Sequence, residues 1–196
     1  MQFVEPIRDV KKISQIKNQL RWEWNIRDLL MFELGINSAL RISDLLSIKV
    51  WDVFEDGGMV KPHFDLKEHK TWKKHRVTIT PKVHDTLVQY YNTYSKIVEN
   101  DENYLFFSKR NKFRWWDNIT RKEARVLISK WCADVWLVWN YWWHTLRKTR
   151  GYQARKNWIP LEIIQNKLNH SSLSITKRYL GITAKEIEDA CNKLDL

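Results

Sequence analysis

The sequence predicts a mainly α-helical fold with one small antiparallel β-sheet, an α+β class. Apolar residues recur at helical spacing through most of the chain. Residues 60–66 and 75–80 alternate like two strands, joined by residues 67–74. Hydrophobic residues make up 43% of the 196 residues, which is enough for a core and argues against disorder. The length suits one domain, so we expect residues 1–196 to form a single unit.

Capping and turn residues mark several helix ends. Asn25 can cap the second helix and Gly35 can end it. Pro81 fits the first turn of a helix, and Thr120 followed three residues later by Glu123 fits a capping box. The predicted helices cover residues 11–20, 26–34, 38–48, 81–94, 120–135, 144–156, 160–168, 172–180 and 184–194.

The charge balance indicates a polyanionic partner. Lysine and arginine outnumber aspartate and glutamate by 34 to 23, giving a net charge of +11. Such a protein usually meets nucleic acid or an anionic membrane surface, although some proteins are basic without either. The N-terminus has no apolar signal-peptide core, and no long apolar run predicts a membrane span. Cys132 and Cys191 lie outside any CxxC pair, which favours a reducing, cytoplasmic compartment.

Tryptophan is frequent and glycine is scarce. The chain has 12 Trp and 5 Gly, whereas average glycine usage is about 7%. Trp72 lies between the two predicted strands, Trp158 follows an apparent helix C-terminus, and Trp139, Trp142 and Trp143 crowd a loop-like stretch. Turns of this kind often need a positive φ, which penalises any residue with a Cβ. We therefore expect these sites to be altered relative to a natural parent, or to be errors in the sequence. A naturally Trp-rich surface is the alternative.

Four polar residues in the C-terminal third suggest phosphate chemistry. His144 and Arg147 are three apart and share a helix face, where the guanidinium can hold two phosphate oxygens and the imidazole can donate a proton. His170 precedes a serine pair that can cap a helix, and a helix N-terminus favours phosphate. Tyr179 follows in that helix, and nearby arginines would favour its phenolate as a nucleophile. Taken singly, each has a plainer explanation: a solvated basic face, a packing histidine and a half-buried tyrosine.

Other kinds of site find little support. His63, His69 and His75 recur every six residues, but no cysteine or carboxylate completes a metal-binding set. The sequence contains no GxSxG, P-loop or GxGxxG motif, which argues against hydrolase, NTPase and dinucleotide-binding functions. We therefore expect neither a metal nor another cofactor.

Four segments resemble the catalytic boxes of the tyrosine recombinase (phage integrase) family, in the family's order and at its usual spacings. The resemblance spans about residues 10 to 185, and the two C-terminal boxes are its most specific part. The segments are Ala39-Leu-Arg-Ile-Ser-Asp-Leu-Leu46, Lys70-Thr-Trp-Lys73, His144-Thr-Leu-Arg147 and Leu168-Asn-His-Ser-Ser-Leu-Ser-Ile-Thr-Lys-Arg-Tyr179.

The resemblance implies a catalytic role for each matching residue. Tyr179 would attack the scissile phosphorus, giving a 3′-phosphotyrosyl link and a free 5′-hydroxyl. Arg41 and Arg147 would clamp the non-bridging oxygens, and Lys70 would act as general acid towards the leaving oxygen. The two histidines would assist proton transfer and hold phosphate oxygens. The implied catalytic set is Arg41, Lys70, His144, Arg147, His170 and Tyr179.

The sequence departs from the family pattern at several positions. The family normally has glycine where Trp72, Asn169 and Trp158 stand, and a glycine or other small residue in the stretch occupied by residues 141–143. A helical core-binding domain usually precedes the catalytic domain, and no such domain is expected here. Fewer phosphate contacts should give weaker DNA binding with a shallower salt dependence.

The resemblance also implies partners. Duplex DNA would be the substrate, bound by a homotetramer that is a monomer or weak dimer without DNA. Residues 184–196 form a C-terminal helix with an apolar stripe, which either packs on its own domain or docks on a neighbouring subunit. Further DNA contacts are expected from Lys73, Lys74, Arg76, Lys109, Arg110, Lys148 and Arg150.

The expected function is therefore that of a bacterial or phage-encoded integrase or resolvase that cuts and rejoins DNA without metal or ATP. Two alternatives stay open. The chain could be a DNA-binding protein of the same fold whose site the tryptophans have disordered. It could also relax DNA in the manner of a type IB topoisomerase, which uses the same chemistry in a single subunit.

Overall fold

The protein is described by a computed structural model that covers residues 4–109, 117–138 and 140–182, together with residues 188 and 192. Within these residues the fold is mainly helical with one two-stranded antiparallel sheet, which confirms the predicted class. No helix in this part of the chain is long and apolar enough to cross a bilayer. The helices are α1 (Val10–Trp22), α2 (Ile26–Ser38), α3 (Ile42–Leu46), α4 (Val50–Val53), α5 (Pro81–Thr93), α6 (Ser95–Val98), α7 (Arg121–Asp134), α8 (Thr145–Lys156), α9 (Leu161–Lys167) and α10 (Leu173–Leu180). The strands are β1 (His63–Lys67) and β2 (Lys74–Thr78).

Helix α2 is the central element of the core. It packs against α1, α5 and α8, and apolar residues on all its sides, including Leu29, Leu30 and Phe32, are buried. A helix that is apolar all round belongs in the interior rather than at the surface. Glu33, also fully buried, is held by Lys17, Arg21 and Thr86, which ties α1 and α5 to α2.

Gly35 does not end the second helix, as its sequence position suggested. It lies inside α2, where an added Cβ would meet Leu146 Cδ1 of α8 at 2.4 Å. Glycine is needed here for the close approach of two helices, and α8 is thereby brought against the end of α2. The helix instead ends at Ala39, whose φ of 61° is left-handed.

The predicted third helix, over residues 38–48, is shorter than expected. Ala39 is left-handed and Arg41 is extended, so regular helix is limited to α3 (Ile42–Leu46). Arg41 occupies the N-cap position of α3, which places its side chain at the start of a helix rather than within one.

The two predicted strands form a hairpin, with boundaries shifted towards the connecting loop. The register pairs His63 with Thr78 and Lys67 with Lys74, leaving residues 68–73 as the hairpin loop. Val60 instead forms an isolated bridge with Phe54. The hairpin turns its buried side chains towards α4 and the core, so the loop at its far end is held in place by the body of the domain.

The remaining helix-end signals gave mixed results. The capping box of Thr120 and Glu123 and the start of α5 at Pro81 are confirmed. Asn25 precedes α2, but its side chain makes no capping bond and instead accepts from Lys109 Nζ at 3.1 Å. Apart from residues 188 and 192, the predicted helix over 184–194, with the expected docking surface, lies outside the described residues.

Among the tryptophans that the structure describes, four have the left-handed backbone that favours glycine. Trp72 (φ 59°) and Trp158 (φ 58°) confirm the expected positive φ, whereas the positive φ of Trp24 (φ 51°) and Trp136 (φ 63°) was not predicted. All four side chains are between 71% and 92% exposed, so burial does not compensate the strain.

The expected positive φ is wrong for Trp142 and Trp143. Their backbones are not left-handed, and their rings stack with centroids 6.0 Å apart. The Arg125 guanidinium lies 4.4 Å from the Trp142 ring centroid, a cation–π contact that gives both rings a packing role. Trp139 lies outside the described residues.

Candidate active site

Arg147 lies in the first turn of α8 and is almost completely buried. Its guanidinium donates to the backbone carbonyls of Ala39 and Leu168, which lie at the C-terminal ends of α2 and α9. Carbonyls at helix ends lack intrahelical partners, so these bonds satisfy them and fix the guanidinium at the same time. Within the described part of the chain, no carboxylate forms an ion pair with Arg147. The structure therefore presents a fixed positive charge that is not neutralised.

Tyr179 lies in the last turn of α10, beside Arg147. Its hydroxyl is buried and makes no well-aligned hydrogen bond with a described residue, although the Arg147 guanidinium lies close enough to interact with it. Burial raises the pKa of Tyr179 to about 12, although the charge of Arg147, its contact with the phenol and the charge of Arg41 act in the opposite direction. In the absence of a ligand the phenol is thus protonated at neutral pH, and its oxygen is open to a new partner.

Two neutral histidines flank the phenol and the guanidinium. His170 packs edge-on against Tyr179, with ring centroids 5.1 Å apart, and its Nδ1 lies 3.1 Å from Thr176 Oγ1. Burial, followed by the charges of Arg147 and Arg41, lowers the pKa of His170 to about 4. The His170 ring is therefore uncharged at neutral pH and can accept as well as donate a proton.

His144 lies at the N-cap position of α8 and is more exposed than His170. Partial desolvation of its ring lowers its pKa. The charges of Arg147, Lys148, Arg41 and Lys70 act in the same direction. These electrostatic effects show that both arginines and Lys70 lie near His144.

Arg41 and Lys70 complete the cluster from the start of α3 and from the hairpin loop. Arg41 extends from the start of α3, with its side chain 19% exposed, and its Nη1 donates to Glu68 Oε2 at 2.5 Å. Lys70 is exposed on the hairpin loop, within electrostatic reach of His144. The structure therefore brings together residues that are up to 138 positions apart in the chain. The assembled set is Arg41, Lys70, His144, Arg147, His170 and Tyr179.

Two buried carboxylates in this region were not singled out from the sequence. Glu68 and Asp44 are both fully buried, one at the start of the hairpin loop and the other in α3. Asp44 Oδ1 accepts from the backbone N–H of His69 at 2.9 Å and lies 2.8 Å from His69 Nδ1. A useful signal was available: both acids lie within three residues of a basic residue of the proposed set.

Asn169 precedes His170 with a φ of 52°, at a position where the family resemblance implies glycine. Its Nδ2 is buried without a partner among the described residues. The left-handed backbone directs the chain from α9 into the short segment before α10, so this turn sets the relation between Leu168 and His170.

The hairpin provides three of the predicted DNA-binding residues. Lys73 is exposed, whereas Lys74 and Arg76 both pair with Asp65. The bidentate bond from Arg76, at 2.9 and 2.8 Å, holds the pKa of Asp65 well below its usual range. These two cations therefore already have a carboxylate partner, which DNA phosphates would have to replace.

The other predicted DNA-binding residues are spread over the surface. Lys109 contacts Asn25 and, with Arg27 and Lys122, lines a cavity of about 390 Å³. Lys148 donates to the Val4 carbonyl at 2.9 Å, and its amine lies 5.7 Å from the Tyr179 ring centroid. Arg150 is half-buried on α8, and Arg110 lies outside the described residues.

Because the pKa values of the histidines are lowered in the folded protein, we expect the free energy of unfolding to be smaller in mild acid than at neutral pH. Between pH 6.5 and 4 the unfolded chain binds a proton at residue 170 that the folded chain does not bind. The stability that the neutral His170 ring contributes to the folded chain is present in full above pH 6.5 and is lost as the pH falls through 4. Urea denaturation at pH 7.5, 6.5 and 5.5 should therefore give a falling free energy of unfolding. A smaller fall is expected for His170→Asn, which retains an acceptor for Thr176, and equal slopes for the two proteins would contradict the assignment.

The sequence model of the phage integrase family matches residues 8–186, so the chain belongs to that family. The "Probable integrase/recombinase YoeC" of Bacillus subtilis is 39% identical over 182 residues, covering 93% of this chain and 92% of that protein. The "Tyrosine recombinase XerA" of Pyrococcus horikoshii is 29% identical over 96% of this chain, which spans only 60% of that longer protein. These relatives confirm the family recognised from the four segments.

A solved structure has the same fold. The XerH site-specific recombinase, bound to palindromic difH substrate in a post-cleavage complex, aligns with a TM-score of 0.70. The alignment covers 97% of this chain and 52% of that one, at 17% sequence identity. A sequence identity of 17% supports a shared fold only. The roles of individual residues are therefore argued from the geometry of this site.

Proposed function

We propose that this protein is a site-specific recombinase that cleaves and rejoins duplex DNA through a 3′-phosphotyrosyl intermediate. The observation that carries the proposal is the pairing of Tyr179 with Arg147. A buried phenol oxygen that makes no well-aligned hydrogen bond within the described part of the chain lies next to a fixed guanidinium that no described carboxylate neutralises. A phosphodiester supplies what both groups lack, because its oxygens are acceptors and its phosphorus is an electrophile.

The arginines stabilise the charge that develops on phosphorus. In attack by Tyr179, the non-bridging oxygens gain negative charge, and guanidinium groups are the side chains best matched to two such oxygens. Arg147 is held in place before the substrate arrives, so little reorganisation is needed in the transition state. Arg41, at the start of α3, adds a second guanidinium whose charge also acts on Tyr179.

Two proton transfers accompany the reaction. The phenol must lose its proton as it attacks, and the departing 5′-oxygen must gain one. A bound phosphate offsets part of the positive charge on the arginines, so the pKa values of His170 and His144 rise towards their ordinary range and both become better bases. Lys70, exposed on the hairpin loop, is the general acid for the leaving oxygen. Reversal of these steps reseals the strand, because one phosphodiester bond is exchanged for another.

Duplex DNA is the proposed substrate, and the net charge of +11 favours it. The solved relative XerH is described in complex with its difH DNA. Recombination joins two sites, so we propose that several copies of the chain assemble on DNA, as a tetramer that is monomeric or weakly dimeric alone. Whether the biological task is integration, excision or resolution depends on the DNA sites.

A trapping assay tests the proposal. Duplexes from the DNA that flanks the gene are incubated with the protein, cut ends are mapped by sequencing, and a nick is then placed close to the cut. The short fragment released by cleavage diffuses away, so a covalent complex accumulates. We expect trapping by the wild-type chain and none by Tyr179→Phe, which retains the ring but lacks the nucleophile.

The same assay separates the alternatives. Tight binding without trapping by the wild-type chain would support a DNA-binding protein with an inactive site. Relaxation of supercoiled DNA without exchange between two sites would support a topoisomerase-like enzyme. Trapping together with exchange between two sites is the result that the recombinase proposal predicts.

A further inference from the structure

Glu68 is the most highly connected side chain beside the proposed active site. It is fully buried and directly follows β1, at the first position of the hairpin loop. Its Oε2 accepts from Arg41 Nη1 and from Thr71 Oγ1, both at 2.5 Å, and its Oε1 lies 3.2 Å from His75 Nδ1. One carboxylate thus contacts α3, the hairpin loop and β2.

The backbone of Glu68 also closes the hairpin loop. Its N–H donates to the Lys73 carbonyl at 3.0 Å, and its carbonyl accepts from the Trp72 N–H at 2.8 Å. His75 lies on β2 and extends the network, since its Nε2 lies 3.1 Å from the Ser38 carbonyl at the end of α2. The segment around the loop is therefore anchored through Glu68 to Arg41 at the start of α3 and through His75 to the end of α2.

Lys70 is one of the exposed residues of this anchored loop. The residue before it, His69, is held by buried Asp44, and the residue after it, Thr71, is held by Glu68. Exposure of a lysine between two anchored neighbours leaves its amine free to meet a ligand, while the position of its backbone is fixed.

The carboxylate is charged in this environment. Burial alone would raise the pKa of Glu68, but bonds from His75, Thr71 and Arg41 outweigh that effect and lower it to about 2. A buried anion is stable only when such donors surround it, so removing the charge should release all of them together.

We propose that Glu68 is a positioning residue that fixes the proposed phosphate clamp Arg41 and the proposed general acid Lys70 in one geometry. This inference rests on the proposed function. Glu68 does not touch the substrate. It acts through the guanidinium on one side and through the loop on the other, and displacements of about 1 Å at such groups cost about 10²-fold in rate.

Modified substrates separate these two effects. A duplex with sulfur in place of the 5′-bridging oxygen releases a thiolate, which needs no proton because a thiol pKa is near 8.5. Cleavage of this substrate is insensitive to Lys70 but still depends on the arginines. A methylphosphonate duplex lacks one charged non-bridging oxygen and so depends less on Arg41.

Three variants are compared in single-turnover cleavage at saturating protein. Glu68→Gln should slow cleavage of the ordinary duplex about 10²-fold, with part of the loss recovered on each modified substrate. Thr71→Val removes only the hydrogen bond between Glu68 and the loop. It should therefore slow cleavage of the ordinary duplex about 10-fold, and the sulfur substrate should restore the full rate. Glu102→Gln, which removes an exposed carboxylate paired with Lys49, outside the proposed site and the predicted DNA contacts, should cleave at the wild-type rate.

The outcomes separate positioning from simple destabilisation. If Glu68→Gln loses the same factor on all three substrates, or if Thr71→Val is not recovered by sulfur, the inference is wrong. Wild-type rates for both variants would also overturn it. Failure of the wild-type chain to form any covalent complex would instead contradict the proposed function. If Glu68→Gln does not fold, Thr71→Val still provides the test of the contact with the loop.

Discussion

Replacing Arg147 with Lys, or Arg41 with Ala, should slow DNA cleavage at saturating protein by about 10³-fold. Arg147→Lys retains the positive charge but loses the planar fork that binds two acceptors. A lysine amine can donate to the carbonyl of Ala39 or of Leu168, but it cannot at the same time bind two phosphate oxygens as the guanidinium does. Arg41 is more exposed, so its removal costs less stability and the alanine variant is usable.

Non-specific DNA affinity should change much less than the cleavage rate in these variants. Each removes at most one of 34 basic side chains, so the salt dependence of binding should fall by about one phosphate contact. Lys156→Ala is the matched control, because Lys156 is an exposed basic residue at the far end of α8. It should reduce affinity slightly and leave cleavage unchanged. Equal losses of affinity and cleavage rate in the Arg41 and Arg147 variants would contradict the clamp.

Replacing four tryptophans by glycine should stabilise the protein strongly. Trp24, Trp72, Trp136 and Trp158 all have left-handed backbones and exposed rings. A residue with a Cβ pays about 1–2 kcal/mol in this region, and part of the gain is offset because glycine is more flexible in the unfolded chain. We expect a net gain of about 1 kcal/mol at each site. The four sites are separate, so their gains should add to about 4 kcal/mol, which corresponds to a rise of about 8–16 °C in melting temperature for a chain of this size.

Two controls separate backbone strain from the loss of an exposed ring. Alanine at the same four positions removes the indole but retains the Cβ, so it should give little of the gain. Trp51→Gly should destabilise, because Trp51 is exposed in α4 with an ordinary helical backbone. At residue 72 the gain should be smaller, since Lys67 Nζ lies 5.0 Å from the Trp72 ring centroid. No rise in thermal stability for the glycine variant would contradict the strain account.

Much of the fold could be predicted because local signals determine most of its elements. The α5 start at Pro81, the Thr120 capping box and the hairpin all agree with the sequence pattern. The errors came from tertiary packing. Gly35 looks like a helix stop, yet it permits contact with Leu146 more than 100 residues away. No periodicity in the neighbouring sequence encodes that contact.

The candidate site was predictable for a different reason. Its four local segments resemble a family, and the resemblance assigns residues that periodicity alone cannot connect. The neighbours of these residues were less accessible. Glu68 and Asp44 appear in sequence as ordinary acids, and only the fold shows that they are buried beneath Arg41 and Lys70. The positive φ of Trp24 and Trp136 also depends on how each chain reversal closes, so composition alone did not indicate them.

The most direct test of the central claim is the identity of the residue joined to DNA. The complex trapped on the nicked duplex can be digested with protease and nuclease and examined by mass spectrometry. The nucleotide adduct should lie on Tyr179, linked through the 3′-phosphate, and the other DNA end should carry a free 5′-hydroxyl. An adduct on another residue such as Tyr152, or a link through a 5′-phosphate, would contradict the arrangement of groups proposed around the scissile phosphate.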